Sequence, residues 1–480
     1  MNDRKGFGSN FGFLMAAVGS AVGLGNIWGF PNKMGANGGF PFLILYLALA
    51  LCCGVIIMLG ELALGRKTGH GAVGAYQSIS KRFKWLGWLG IAAAALIFSF
   101  YSALGGYCLR YVVVNFGNLI GAEFGTNGVG GADVFQGLLS QPDVSIAFAL
   151  AFMLITMLVV MGGVGGGIER VCSVGMPALF FILIICIIRS CTLPGAVDGL
   201  KYMFVPGWAV ANGIIDEAPG FWRVLTAAGG QMFFSLSLGA GVMITYGSYL
   251  DKKQDLGKST MIIVGMDTVV ALMAGLCVIP GRFALDPNGA LGGPELLFIT
   301  MQNVFDKMGP AGPVFGILFY LLVFFAAISS SISMLEVIVA HFCDKAREKG
   351  KGDRRKLYSA IVVVICAALC ALVCADGMGS NHISPAELLG LAGAKLPGWS
   401  TSWLGLFDSV AEGLLMPLGA LLMCLMISWE LKPDALRQEI LLNGENRPWV
   451  YDFFRLCVKY ITPLCMLMIL YGQISDFFIV

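Results

Sequence analysis

The sequence predicts an all-α integral membrane protein of two inverted five-span repeats plus one further span, on three observations. Hydrophobic residues make up 57% of the 480 and charged ones only 12%, with a mean hydropathy of +0.81, whereas soluble domains are about a quarter charged. The apolar residues gather into eleven runs, each suited in length to a bilayer crossing, which needs roughly 20 residues. The first and sixth of these runs are interrupted at mid-membrane by small and polar residues. The partners that follow are a lipid bilayer and no nucleic acid, since a net charge of +2 offers nothing to a polyanion. Most of the 14 cysteines lie inside apolar runs, and Cys366, Cys370 and Cys374 share one helical face, so they read as packing residues rather than disulfides or metal ligands.

The runs fall near 11–32, 40–64, 87–117, 144–162, 170–190, 224–250, 260–284, 311–343, 357–375, 405–429 and 453–475. Basic residues gather in cytoplasmic loops. Arg4 and Lys5 precede the first run, and alternate loops carry Arg66 to Lys84, Lys252 to Lys258, Lys345 to Lys356, and Lys432 to Arg447. The amino terminus is therefore expected in the cytoplasm and the carboxyl terminus outside, with no cleaved leader before the first span. The long external loops Thr192 to Arg223 and Asp376 to Trp403 are expected to cap the outer face. One transmembrane domain, 1–480, is expected, with repeats at about 8–190 and 224–431 and the extra helix at about 450–475.

Val18-Gly-Ser-Ala-Val-Gly-Leu-Gly-Asn26 breaks the first span. Glycine costs a helix about 1 kcal/mol relative to alanine, and in lipid every freed backbone group needs another partner. Such a break survives where it is buried in protein or lines a watery cavity, and its carbonyls and amides can then hold an ion or a polar solute. Gln231-Met-Phe-Phe-Ser-Leu-Ser-Leu-Gly-Ala-Gly241 repeats the pattern in the sixth span. An odd number of spans per half inverts the second half, and inverted repeats with discontinuous helices mark secondary transporters.

Asn26, Ser235 and Asp267 lie in the first, sixth and seventh spans. A buried carboxylate is costly unless paired, and an amide oxygen, a hydroxyl, a carboxylate and loose carbonyls make the hard oxygen cage that small cations prefer. The alternative is that Asp267 caps a helix or pairs with a neighbouring donor. In the eighth span Ser329, Ser330 and Ser331 either face the first break as a second cation site or bond their own i−4 carbonyls. The amides of Leu24, Gly25 and Asn26 open the outer half of span one and present a positive dipole end to an anion. Tyr101 in the third span is either a hydroxyl donor to that anion or a packing residue.

These residues resemble the neurotransmitter:sodium symporters, in their bacterial LeuT-like branch. The resemblance covers nearly the whole chain. It rests on Gly19 to Asn26 with Phe30-Pro31, Asn37-Gly-Gly39, Gly60-Glu-Leu-Ala-Leu-Gly-Arg66, Phe100-Tyr-Ser102, Gln231 to Gly241 with Thr245-Tyr-Gly-Ser-Tyr249, and Phe324 to Ser331. It implies a LeuT-type fold, a 5+5 inverted repeat with helices 1 and 6 broken. It also implies sodium-coupled uptake of an amino acid across the plasma membrane, a bacterial inner membrane, by alternating access. One sodium site is implied at Ala21, Asn26, Ser235 and Asp267, and a second at Gly19, Val22, Ala326, Ser329 and Ser330. The implied substrate-binding set is Ser20, Ala21, Leu24, Gly25, Ile97, Tyr101, Phe234, Ser235, Ser237, Ala240, Ser330 and Met334. Gly23 stands where monoamine carriers have Asp, which favours a zwitterion, and Ala240 makes room for a large side chain. A neutral amino acid, large and aliphatic or aromatic, is therefore expected.

The chain also departs from the family. The Arg that usually closes the outer gate against an acid in the tenth span is replaced by Gly29, while Asp408 keeps the acid, so the outer gate must differ. At the inner gate Arg4, Asp344 and Tyr249 match, with Phe7 in place of Trp. Asp267 stands where Asn is common and Ala271 where chloride-dependent relatives have Ser, so Asp267 is expected to supply the negative charge and no chloride to be required. Glu61 is expected to bond backbone near the sixth-span break. Glu336 and Glu412 are further acids at membrane depth, open to a proton-linked role. The alternative function is a sodium-independent or proton-linked amino-acid carrier of the same fold. An enzyme is not expected, since His70, His341 and His382 are scattered and no nucleophile with its base or phosphate-cradling loop occurs. The oligomeric state stays open.

Overall fold

The computed structural model describes residues 6–291, 293–390, 398–441 and 448–478, and among these there is no strand. Nine of their helices are long and apolar enough to cross a membrane, and a bent pair brings the number to ten. The pair is α1 (Asn10–Ala21) and α2 (Gly25–Ala36), inclined at 44°. There follow α3 (Phe40–Thr68), α4 (Lys81–Ile120), α5 (Pro142–Met161) and α6 (Val164–Cys191). The shorter α7 (Phe221–Leu236) and α8 (Val242–Gly247) come next. After them stand α9 (Leu256–Leu285), α10 (Gly309–Glu348), α11 (Arg355–Gly379), α12 (Trp403–Leu431) and α13 (Pro448–Ser475). The expected eleven spans include α7 with α8 as one crossing; at 16 and 6 residues neither reaches roughly 20 alone.

An interrupted pair followed by four continuous helices thus occurs twice, as α1/α2 with α3 to α6 and as α7/α8 with α9 to α12, leaving α13 over. α4 and α10, 40 residues each, are about 60 Å long at 1.5 Å per residue. They form the most extensive helix contact in the molecule and frame the two breaks.

Each interruption has a local cause. Ser9 starts α1 by accepting the Gly12 N–H at 2.9 Å, which satisfies one of the free amides of the first turn. The helix ends where Val22 turns extended, with φ −71° and ψ 106°. The chain resumes helical hydrogen bonding at Gly23, whose carbonyl takes the Asn26 and Ile27 amides at 3.1 and 3.2 Å. In the second break Ser237, Gly239 and Gly241 hold φ of 52°, 78° and 75°. Glycine enters that left-handed region without strain, while Ser237 does so at a cost of order 1–3 kcal/mol that its surroundings must sustain.

The first long loop does cover the end of α2. Its helix Ala196–Phe204 lies on α9, and the Tyr202 hydroxyl donates to the Gly35 carbonyl at 2.6 Å. In the second, Asp376 accepts the Trp403 amide at 3.0 Å; residues 391–397 of that loop are not among those described.

Candidate functional site

The two breaks face each other, and their freed backbone groups are met by side chains from other helices. At the first break the Leu24 N–H donates to the Tyr101 hydroxyl of α4 at 2.7 Å, and the Gly23 N–H to Asn26 Oδ1 at 2.9 Å. The Gly25 carbonyl accepts from Gln231 Nε2 of α7 at 2.6 Å. The Ser20 carbonyl receives both Ser237 from the second break and Ser330 from α10, each at 3.1 Å. Ser330 also lies 3.3 Å from the Val22 carbonyl and 3.5 Å from that of Gly19. This agrees with the general rule that buried backbone groups are paired.

One cluster gathers Asn26, Ser235 and Asp267, all fully buried. Asn26 Nδ2 donates to Asp267 Oδ1 at 2.7 Å and to its backbone carbonyl at 3.0 Å. The Ser235 hydroxyl lies 2.9 and 3.2 Å from the two Asp267 oxygens, and Tyr46 of α3 adds its hydroxyl at 3.3 Å. Asp267 therefore makes its contacts with an amide and two hydroxyls, and no described ion pair involves it. Burying a carboxylate without an ion-pair partner is costly, a cost that a bound cation would relieve. Ala21 is buried as the last residue of α1.

A second cluster joins Gly19, Val22, Ala326, Ser329 and Ser330. Ser329 touches the Val22 carbonyl at 3.3 Å and its own helix at Ala326 and Phe325, 3.0 and 3.2 Å away. Ser331 turns elsewhere, to the Ile328 carbonyl and to Thr156 of α5. Of the two readings of this serine run, Ser330 follows the break-facing one and Ser329 does both, while Ser331 bonds back to its own helix three residues earlier rather than four.

The remaining residues of the expected substrate-binding set are each buried: Ile97, Tyr101, Phe234, Ser237, Ala240 and Met334. Ile97 stands one turn before Tyr101 and Met334 one turn after Ser330, hence on the same helical faces. The Phe234 and Tyr101 rings lie edge to face at 6.3 Å. A Cβ on Gly23 would collide with Ser330 Oγ and Tyr101 Oη, so no side chain fits at the position where monoamine carriers have an acid. Glu61 accepts the Gly239 N–H at 2.7 Å and so supports the second break, as expected of it.

Arg4 lies outside the described residues. The Tyr249 hydroxyl donates to Glu336 Oε1 at 2.6 Å, and Glu336 pairs with Arg355; Asp344 accepts the Gly71 amide at 3.2 Å. On the other side of the breaks Lys33 of α2 forms an ion pair with Glu412 of α12, and Asp408 neighbours both from one turn earlier on α12. Tyr46, Gln231 and Lys33 are the partners that sequence reasoning missed. Tyr46 had no signal, being one tyrosine in an apolar run. Lys33 had one, being a basic residue one turn past Gly29 on the same helix.

Two broken helices with their backbone groups turned on one buried acid and a row of serines define the class: a secondary transporter rather than an enzyme. Residues 4–127 and 133–478 match the model of the Sodium:neurotransmitter symporter family, and the chain belongs to that family. The sodium-dependent transporter YhdH of Bacillus subtilis, itself uncharacterized, is 36% identical over 479 residues, 97% of each chain. The Sodium- and chloride-dependent GABA transporter ine of Drosophila melanogaster is 26% identical over 76% of this chain and 42% of its own length. The crystal structure of MhsT in complex with L-phenylalanine superposes with a TM-score of 0.83 at 33% identity, covering 98% of this chain and all of that one. The fold is thus the LeuT type, and the protein is a sodium-dependent, multi-span membrane transporter.

Proposed function

We propose that the protein is a sodium-coupled symporter that takes up a neutral, large hydrophobic or aromatic amino acid by alternating access. The observation that carries this reading is the Asn26–Ser235–Asp267 cluster beside a break whose carbonyls already receive Ser330 and Ser237. One sodium ion would be held by Asn26, Ser235, Asp267 and the Ala21 carbonyl, the other by Gly19, Val22 and Ala326 carbonyls with Ser329 and Ser330. In that role oxygens of several origins replace the ion's water. The substrate carboxylate would meet the Leu24 and Gly25 amides and Tyr101, at the positive end of α2. Bound phenylalanine in the MhsT complex, and buried Ile97, Phe234, Ala240 and Met334, support an apolar side chain. The charge of Asp267 supports independence from chloride. The cytoplasmic amino terminus and external carboxyl terminus follow from the basic loops.

Counterflow of labelled phenylalanine in proteoliposomes tests this. Uptake driven by an inward sodium gradient, unchanged when gluconate replaces chloride, is the expected result. Equal uptake without sodium, or uptake driven by a proton gradient instead, would replace it with the sodium-independent or proton-linked carrier.

A further inference from the structure

The outer closure raises a problem that the structure answers. The resemblance pointed to position 29 facing Asp408, yet Gly29 has no side chain, and a Cβ built there would already lie 2.9 Å from Gln231 Oε1. That level is filled by Gln231, whose amide holds the Gly25 carbonyl at 2.6 Å. One turn further along α2 stands Lys33, and one turn further along α12 stands Glu412, and these two form the ion pair. Lys33 lies four residues, about 6 Å, further out than Gly29 along α2, whereas α12 descends from the external loop, so Glu412 lies about 6 Å further in than Asp408.

The pair stands directly over the break. A Cβ at Gly230, next to Gln231 on α7, would lie 2.9 Å from Glu412 Oε1, 3.7 Å from Lys33 Nζ and 2.7 Å from Gln473 Nε2 of α13. Lys33, Glu412, Gly230 and Gln473 therefore meet at one point, where α2, α12, α7 and α13 converge. Glu412 is only 8% exposed and Lys33 25%, so water screens the pair far less than a surface one. Asp408, one turn further out on α12, is a second acid beside the same cation.

We propose that Lys33 and Glu412 form the outer gate of this transporter, in two layers with Gln231: the ion pair outside and the Gln231 amide inside. The assignment rests on the alternating-access reading. Because the pair joins a half of the broken first span to α12, outward opening must separate it. Lys33→Glu or Glu412→Lys then leaves two like charges at the closure and holds it open.

The test is dissociation of labelled phenylalanine from the purified full-length protein in sodium. Each single reversal should speed release at least tenfold, and the double reversal Lys33→Glu with Glu412→Lys should return it to within about threefold of the parent. Lys33→Met and Glu412→Gln, which remove charge without repulsion, should speed release by a smaller factor and serve if a reversal fails to fold. Asp408→Asn should change release less than Glu412→Gln. Single variants that bind in sodium and release at the parental rate would overturn the assignment, as would a larger effect at Asp408. A parent protein that binds no amino acid in sodium would instead overturn the functional reading on which it rests.

Discussion

Gly23→Ala tests the packing of the first break most directly. The added methyl would occupy the space now held by Ser330 Oγ and Tyr101 Oη, and would stand 3.0 Å from Ser330 Cβ. Neither hydroxyl is free to step aside. Ser330 is bonded to the Ser20 and Val22 carbonyls at 3.1 and 3.3 Å, and Tyr101 holds the Leu24 amide at 2.7 Å. Relieving the collision costs each of the two hydroxyls its bonding, counted at a net 0.5–1.5 kcal/mol apiece, or about 1–3 kcal/mol together. The general cost of overpacking a tight core is the same, about 1–3 kcal/mol. Because the displaced groups are those assigned to the substrate carboxylate and one sodium ion, the loss should fall on ligand binding. It corresponds to about 5- to 150-fold weaker affinity at roughly 1.4 kcal/mol per tenfold. Scintillation-proximity binding of phenylalanine in saturating sodium measures it, with thermal unfolding alongside. Gly175→Ala is the control, since nothing lies within 4 Å of its Cβ position and alanine is the better helix former. Unaltered binding and stability in Gly23→Ala would refute the close packing of Tyr101 and Ser330 on the break.

Asp267→Asn removes the one acid of its cluster; half-saturation by sodium should rise about tenfold, equivalent to about 1.4 kcal/mol, and chloride should begin to stimulate uptake. Sodium titrations in chloride and in gluconate check both, and an unchanged sodium dependence would remove Asp267 from the site. Tyr101→Phe strips the Leu24 amide of its acceptor, at the 1–3 kcal/mol typical of an orphaned buried donor; equilibrium binding should weaken by about 5- to 150-fold while the melting temperature moves little. Ser330→Ala should raise the sodium requirement several-fold and Ser331→Ala, whose hydroxyl faces Ile328 and Thr156, should not; equal effects would dissolve the distinction between them. Glu61→Gln keeps an acceptor for the Gly239 amide but loses its charge, so a charge-assisted bond falls to about half its strength; a slower transport rate with folding retained is expected, and parental transport would make Glu61 incidental.

Much of this was legible because hydropathy and glycine act locally. A run of apolar residues announces a crossing, and Gly19, Gly23 and Gly25 within one run announce a break, whatever the rest of the chain does. Asp267, Asn26 and Ser235 could be grouped because a buried acid demands partners and few polar residues lay at the same depth. What stayed hidden is register between helices that the sequence does not join. Tyr46 reaches Asp267 across 221 positions, and Lys33 reaches Glu412 across 379; nothing in either local sequence fixes the rotation that makes them meet. α12 makes the point sharply, since its residues Ser409–Leu415 wind as a π-helix. The wider turn shifts which face Glu412 presents relative to an ideal 3.6-residue repeat, so helical spacing alone could not choose between Asp408 and Glu412.

The break is stable for the same reason that it can serve transport. Apart from Gly23, which bonds within its own span, the backbone groups paired by side chains between Gly19 and Gly25 find them on different elements: Tyr101 on α4, Gln231 on α7, Ser237 in the second break, Ser329 and Ser330 on α10. No single helix holds the first break, so moving any one of them against the others must trade hydrogen bonds. A cation that takes over the carbonyls of Gly19, Val22 and Ala326, and a carboxylate that takes over the Leu24 amide, exchange one set of partners for another rather than filling bare positions. The exchange costs little in net hydrogen bonding, and in the proposed site what remains is the attraction between Asp267 and an ion. Ligand occupancy and helix position are then coupled through the same atoms, which is the condition for an ion gradient to drive the movement of a solute.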